Sequence, residues 1–233
     1  GERVPSHLVA RDVVECPLCG KTAKEFKPFG HGARRLPNRQ CPCGSLERHR
    51  AMWLYFRDRT DLLTAPLRLL HVAPEVILER RLHPLPNLDY LSADLDSPTA
   101  MVKMDLTDID MPDDSFDVIY ASHVLEHIPD DVKAMSELFR VLRPGGWAIL
   151  QVPMWGPTTR EDHIEDDEER SKAYGQPDHV RMYGNDGVYG DRLRSVGFDV
   201  QIEKFVESLG PELIERYRLQ RGEDIYRCSK PRA

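Results

Sequence analysis

Apolar residues in this chain gather into short runs at two different spacings. Residues 67–73, 116–121 and 147–152 are near-continuous aliphatic and aromatic stretches. Runs of that length without polar alternation read as strands buried on both faces. Weaker runs at 88–93 and 100–104 predict two further strands between the first and second of these. Helical spacing shows elsewhere. Ile128, Val132, Met135, Phe139 and Leu142 recur three and four residues apart, which predicts a helix leading into 147–152. Residues 76–82 predict another helix, with Pro74 in its first turn, where an N–H is not needed. Ser45 is placed to cap a helix carrying Leu46, His49, Trp53 and Phe56 on one side. Residues 191–196 predict a last helix stopped by Gly197, after which 199–205 and 225–228 read as strands. Strands alternating with helices predict an α/β fold, a parallel sheet covered on both faces.

Two stretches fall outside this alternation. Residues 13–44 are rich in Cys, Gly, Pro, Lys and Arg and show no helical period. A segment of that kind is too small to bury a core unaided, so residues 1–44 are expected to form an arm and a small module, and 45–233 the main domain. Residues 154–184 are long and polar. Loops of such length in a compact domain are usually functional, so this segment is the expected substrate lid.

Composition sharpens the picture. At 233 residues the chain holds one sizeable core and a small appendage. With 40% hydrophobic and 30% charged residues it reads as a soluble globular protein. No apolar run approaches the roughly 20 residues of a membrane helix, and the first residues lack the pattern of a secretory leader. The expected location is the cytoplasm. The net charge of -7 argues against nucleic acid as partner of the whole chain. The charge is uneven, however: Lys21, Lys24, Lys27, Arg34, Arg35 and Arg39 crowd one stretch, and 161–169 is almost wholly acidic.

Four of the five cysteines cluster. Cys16 and Cys19 are separated by two residues, and Cys41 and Cys43 follow after 21 intervening residues. Four thiolates suit tetrahedral zinc, and clustering of this kind fits a metal site in a reducing compartment better than a disulfide framework. The second pair is one residue tighter than an ordinary knuckle, which leaves His31 or His49 as a replacement for one sulfur. Four protein ligands leave no open position, so the zinc is expected to be structural. Cys228 stands alone in a strand and reads as core.

Two motifs carry the main functional signal. Residues 112–128 read Pro-Asp-Asp-Ser-Phe-Asp-Val-Ile-Tyr-Ala-Ser-His-Val-Leu-Glu-His-Ile, and 142–150 read Leu-Arg-Pro-Gly-Gly-Trp-Ala-Ile-Leu. The strand, helix, Pro-Gly-Gly turn and strand that they encode resemble the second half of the core domain of class I S-adenosylmethionine (SAM)-dependent methyltransferases, in the type 11 group. The resemblance implies a Rossmann-like, mostly parallel seven-stranded sheet with SAM as cofactor. In such a sheet ligands bind beyond the carboxyl ends of the strands. The residues there are Ala73, Pro74 and Glu75 after the first strand, Asp94 after the second, Asp105 and Leu106 after the third, and Ser122 and His123 after the fourth. Asp94, 19 residues beyond Glu75, suits a ribose diol. Asp105 is placed for an exocyclic adenine amine, and Glu75 for a cationic amino group or sulfonium. The family's usual acid-x-Gly-x-Gly-x-Gly turn is replaced by His71-Val72-Ala73-Pro74-Glu75. Without a glycine nest the turn does not suit a pyrophosphate, which disfavours a nicotinamide dinucleotide. Pro74 has no N–H for the SAM carboxylate, so a later backbone amide, Arg48 or Arg50 is expected to take that role.

On the substrate side, His179 is the expected base and Arg181 the expected clamp for an anion or hydroxyl. His127 is read as structural or cofactor-side, because it recurs across the family irrespective of substrate. The expected activity is methyl transfer to an oxygen or nitrogen of a small polar metabolite, sugar or natural product. Two alternatives stand beside it. One is an RNA methyltransferase that docks nucleic acid through the basic module with Phe26 and Phe29; the acidic mouth and the absence of an Asn-Pro-Pro-Tyr-like motif count against it. The other is a non-catalytic SAM-binding protein.

Overall fold

The computed structural model describes residues 13–30 and 35–232. His31 and Arg34 lie outside the described residues. The chain divides into two compact units. One contains the described residues up to Thr60 together with Lys204–Glu223, so it runs past the boundary expected at 44; the other is Asp61–Glu203 with Asp224–Ala233.

The first unit opens with two small antiparallel ribbons, β1 (Val14–Glu15) with β2 (Thr22–Ala23) and β3 (Lys27–Phe29) with β4 (Leu36–Gln40). Helix α1 (Glu47–Arg59) follows. Its cap is not Ser45. The N-cap is Leu46, whose N–H donates to Nδ1 of His49 at 3.1 Å. The Ser45 hydroxyl is turned instead to Sγ of Cys16, at 3.1 Å.

The second unit is built on a seven-stranded sheet. Strand β5 (Leu67–Val72) leads to α2 (Val76–Leu82), then β6 (Leu88–Asp94) and the short β7 (Val102–Lys103). Pro74 lies before α2, whose N-cap is Glu75, rather than in its first turn. Strand β8 (Phe116–Ser122) is followed by a single 3-10 turn (Leu125–His127), α3 (Asp131–Val141) and β9 (Leu142–Gln151). Pro129 and the capping side chain of Asp130, which accepts from the Lys133 N–H at 2.9 Å, make α3 start three residues later than the apolar spacing suggests. Its buried face is Ala134, Met135, Leu138 and Val141, while Val132 is exposed. Pro144-Gly145-Gly146 lies inside β9, as an irregularity in its pairing with β8, and is not a turn before it. A Cβ on Gly146 would sit 2.7 Å from the Asp117 carbonyl oxygen, so only glycine fits there.

The segment after β9 is partly regular: α4 (Asp167–Tyr174) is capped by Asp166, which accepts from the Glu169 N–H at 2.8 Å, and is stopped by Gly175. Helix α5 (Val188–Ser195) and strand β10 (Asp199–Glu203) follow. The chain then contributes α6 (Phe205–Ser208) and α7 (Gly210–Tyr217) to the first unit. Phe205, expected in a strand, starts a helix. Strand β11 (Ile225–Ser229) returns to the sheet.

The strand order is β10-β11-β9-β8-β5-β6-β7, parallel except where β11 runs antiparallel to both of its neighbours. The chain leaves β5 toward β6 and later returns to its other side with β8, which creates a topological switch point between β5 and β8. Leu70, Val72, Ile119, Ala121, Ala148 and Leu150 place the core along these central strands, and Cys228 is buried with them.

Candidate functional site

Register aligns the strand ends into one row. Val72 pairs with Ala93 on one side and Ala121 on the other, Asp94 pairs with Lys103, and Ser122 with Gln151. The residues read from the sequence as cofactor contacts therefore emerge side by side. Two of them take a left-handed backbone that side chains rarely adopt: Ala73 at φ 45° and His123 at φ 59°. Each is held there by sheet hydrogen bonds, from the Ala73 N–H to the Ala93 carbonyl at 2.8 Å and from the His123 N–H to the Gln151 carbonyl at 2.9 Å. Strain of this kind gathers where a chain must turn sharply at a site. Ala73 thus takes a backbone conformation that glycine adopts more readily.

The acids along the row are differently engaged. Oδ1 of Asp94 accepts from the N–H groups of Asp96 and Ser97 at 2.8 and 2.7 Å, which fixes the carboxylate and leaves Oδ2 unbonded among the described residues. Oδ1 of Asp105 accepts from the Thr107 N–H and hydroxyl, both at 2.8 Å, and these bonds lower its pKa. Glu75 is held from below: His71 Nε2 lies 3.4 Å from Oε2, and the Tyr120 hydroxyl donates to Oε1 at 3.4 Å. His71 is itself fully buried and bonded through Nδ1 to the Tyr90 hydroxyl at 2.8 Å. The sequence reading missed this His71–Tyr90–Tyr120 support; polar side chains inside otherwise apolar strands were its signal. Leu106 is buried in the core, and Ser122 is buried at the end of β8. The carboxylates are acceptors of the kind that the hydroxyls and amine of SAM would need.

Past β8 lies a second cluster. Glu126 is fully buried, and neither carboxylate oxygen has a hydrogen-bond partner. Burial pushes its pKa up to about 8. Around Oε1 stand His123 Nδ1 at 3.6 Å, His127 Nε2 at 3.9 Å and His179 Nε2 at 3.9 Å. His179 is buried, donates from Nδ1 to the Tyr174 carbonyl at 2.8 Å, and has its pKa lowered by burial. The sequence reading singled out the histidines of this cluster but missed Glu126, the acid of Leu-Glu-His-Ile at its centre.

Arg181 has a different job from the expected clamp. Every nitrogen of its buried guanidinium donates within the protein, from Nε to Glu161 at 2.7 Å, and to the carbonyls of Leu125, Ile128 and Pro129. A guanidinium so committed anchors the 125–129 turn and is not available for a substrate anion. With the Val180 N–H donating to the Glu126 carbonyl at 3.0 Å and the Tyr183 hydroxyl donating to Asp131, the end of the 154–184 segment is stapled to the turn that carries Glu126.

In the first unit the four cysteine sulfurs lie within 4.8 Å of one another. Cys16 and Cys43 are 3.7 Å apart, as are Cys19 and Cys41. A tetrahedron with metal–sulfur bonds of about 2.3 Å has edges of about 3.8 Å, so the set fits zinc. Two matching turns shape it: Gly20 N–H donates to the Cys16 carbonyl and Gly44 N–H to the Cys41 carbonyl, each at 2.8 Å. Gly44, at φ 98°, is what lets the tighter second pair close. Burial raises the pKa of Cys16 and opposes ionisation of Cys43 too, but bonds from the Ser45 hydroxyl and N–H bring Cys43 down to about 7. His49 is not among the ligands, since its Nδ1 accepts from Leu46. Arg50 is not a SAM ligand either. It is fully buried in the first unit, where it donates to the carbonyls of Tyr217, Arg39, Ser45 and Arg218. Phe26 is buried beneath that guanidinium, 4.7 Å from it, whereas Phe29 and Lys21, Lys24 and Lys27 are exposed.

Residues 81–150 match the family model for a methyltransferase domain. The fold is also that of solved methyltransferases. An S-adenosylmethionine-dependent methyltransferase from Mesorhizobium loti superposes at TM-score 0.51 with 20% identity, over 76% of this chain and 97% of that one. The YcgJ protein of Bacillus subtilis gives 0.54 with 15% identity, over 79% and 100%. The matched segment is thus similar to a methyltransferase domain, and the fold of the second unit is the one seen in class I SAM-dependent methyltransferases. Among curated relatives, sterol 24-C-methyltransferase of Clavispora lusitaniae is 34% identical over 128 residues. That alignment takes in 54% of this chain and 33% of the relative, so the chain spans about a third of that protein's length.

Proposed function

We propose that this protein is a SAM-dependent methyltransferase acting on an oxygen or nitrogen of a small polar molecule, with a structural zinc in its first unit. The observation that carries the reading is the row of acids at the carboxyl ends of β5, β6 and β7, two of which, Asp94 and Asp105, lie in the segment that matches a methyltransferase domain. Asp94 would hold the ribose hydroxyls through its unbonded Oδ2, Asp105 the adenine amine, and Glu75 the positive end of the cofactor. Ala73, Pro74, Leu106, Ser122 and His123 would line the same edge. SAM, when bound, supplies an electrophilic methyl group.

The acceptor side is the Glu126–His127–His179 cluster, which follows directly on β8. An acceptor hydroxyl or ammonium needs to lose a proton as its lone pair attacks, and this cluster offers unbonded acceptor atoms for it in Glu126 and in Nε2 of His179. Residues 154–184 would form the lid. Its acids, from Glu161 to Glu169, are exposed, and Glu161 is paired with arginine. They disfavour a polyanionic substrate such as RNA, and a surface so charged suits a polar acceptor better than the sterol named for the relatives. No described helix is long and apolar enough to cross a membrane. Four cysteines gathered as a metal-type set support a reducing compartment such as the cytoplasm. Calorimetry with SAM and its demethylated product, followed by a screen with labelled SAM against metabolite and RNA pools, tests the reading. Absence of SAM binding by folded protein sinks it, and labelling confined to RNA replaces the acceptor class.

A further inference from the structure

We propose that Glu126, His127 and His179 bind a divalent transition-metal cation, in a second metal site separate from the four cysteines. One carboxylate oxygen and one nitrogen from each ring lie within 4.8 Å of one another. His127 Nε2 and His179 Nε2 are each 3.9 Å from Glu126 Oε1. That is too long for a hydrogen bond. It is close to the spacing of two ligands on one ion, since metal–nitrogen and metal–oxygen bonds of about 2.0–2.2 Å put neighbouring ligands about 3–4 Å apart.

Burial makes the gap chemically informative. The Glu126 side chain is 1% exposed and that of His179 4%, and Oε1, Oε2 and Nε2 have no hydrogen-bond partner. A carboxylate taken out of water needs a compensating cation or donor. Arg181 is a nearby charge but gives Glu126 no hydrogen bond, because its nitrogens donate to Glu161 and to the carbonyls of the turn.

The outer contacts point the same way. Metal-bound histidines usually donate their other ring N–H to a carboxylate, a backbone carbonyl or water. His179 has such a partner as a hydrogen bond, and His127 has a carboxylate at ion-pair distance. Nδ1 of His127 lies 3.2 Å from Asp178 Oδ2, and Nδ1 of His179 lies 2.8 Å from the Tyr174 carbonyl. With a proton on each Nδ1, the Nε2 atoms 3.9 Å from Glu126 Oε1 are the ones left with lone pairs. The segments carrying the ligands are stapled together by Val180 and Arg181, so the set is preorganised.

Two imidazoles and a carboxylate match the N₂O sets of zinc, manganese and iron(II) sites that keep open coordination positions. Those positions would take water or an oxygen of the acceptor. With the ion bound, Glu126 and Nε2 of His179 would no longer take the acceptor's proton, and an ion-bound water would do so instead; that role rests on the methyl-transfer reading, the binding of the ion does not.

The test uses the 233-residue chain with its cysteine site saturated with zinc, titrated with Mn(II), a hard ion that avoids thiolates. Calorimetry and the paramagnetic resonance of free Mn(II) follow binding. The expected result is one Mn(II) per chain and a raised melting temperature. Asp178→Asn, at a 64% exposed outer position, should weaken binding roughly 10–100-fold. Glu126→Gln and His179→Ala should weaken it at least as much, and His163→Ala, at an exposed site, should not. Folded wild-type protein that takes up neither Mn(II) nor Co(II) overturns the proposal: the cluster is then a neutral one in which Glu126 keeps its proton. Unchanged affinity in Asp178→Asn and Glu126→Gln together overturns it as well. SAM binding is measured in the same samples. Cofactor binding without metal uptake sinks this inference alone, and metal uptake without cofactor binding sinks the methyl-transfer reading alone.

Discussion

Arg181 donates through Nε to Oε1 of Glu161 at 2.7 Å, across 20 positions of the chain, and so ties together two parts of the 154–184 segment. Arg192 donates to both oxygens of the same carboxylate. The bonds from Arg192, then those from Arg181, hold Glu161 at a pKa of about 2, below the ordinary 4.5. A group whose folded pKa is depressed adds stability above its unfolded pKa and loses it as pH falls through the folded one. Glu161→Gln should therefore cost about 1 kcal/mol at pH 7, a figure reduced from the full shift because the side chain is 37% exposed and screened. The gap between variant and wild type should narrow as pH falls from about 4.5 toward 2. Urea titrations at pH 7 and pH 3 check this, and an equal gap at both contradicts the assignment.

The cysteine set predicts one tightly held zinc per chain. Elemental analysis of protein purified without added metal should find it, and Cys16→Ser should release it and unfold the first unit. Folded wild-type protein with no metal, or the variant with its zinc intact, would remove this site.

For the cofactor, Asp94→Ala should weaken SAM binding by about 1.5–3 kcal/mol, as for loss of hydrogen bonds to a charged group. Asp105→Ala should weaken it less, because its carboxylate is exposed and already bonded to Thr107. Calorimetry is the measurement. Wild-type affinity in both variants would move the cofactor elsewhere.

On the acceptor side, His179→Ala should slow methyl transfer roughly 10²–10⁴-fold while SAM affinity stays near that of wild type. An effect of the same size on SAM affinity would make His179 a cofactor contact or a folding residue instead. Arg181→Ala should lower stability, since it strips donors from three backbone carbonyls and one carboxylate.

The central strands were legible because each is a local run of apolar residues buried on both faces, and the sheet needs little more than that pattern. Three acids at strand ends, the Leu-Glu-His-Ile and Pro-Gly-Gly segments and the paired cysteines were equally local. Other features depended on partners far along the chain. Spacing alone put α3 on Val132 and Phe139, but the stop at Pro129 and the cap at Asp130 set its start, and packing turned Ala134, Leu138 and Val141 inward. Ser45 reads as a helix cap until a cysteine sulfur 29 positions away claims its hydroxyl.

The sequence by itself thus determined the class of fold, the row of candidate cofactor residues and the cysteine cluster, because strand burial, strand-end position and knuckle spacing are written within a few residues. Only the tertiary structure decided what the long polar segment does to the site. It brings Asp178, His179 and Arg181 onto the turn at Glu126, commits Arg181 to backbone carbonyls and encloses a carboxylate among three imidazoles. That outcome rests on which hydrogen bonds remain unmade after burial, and a donor's partner is settled only when distant segments meet.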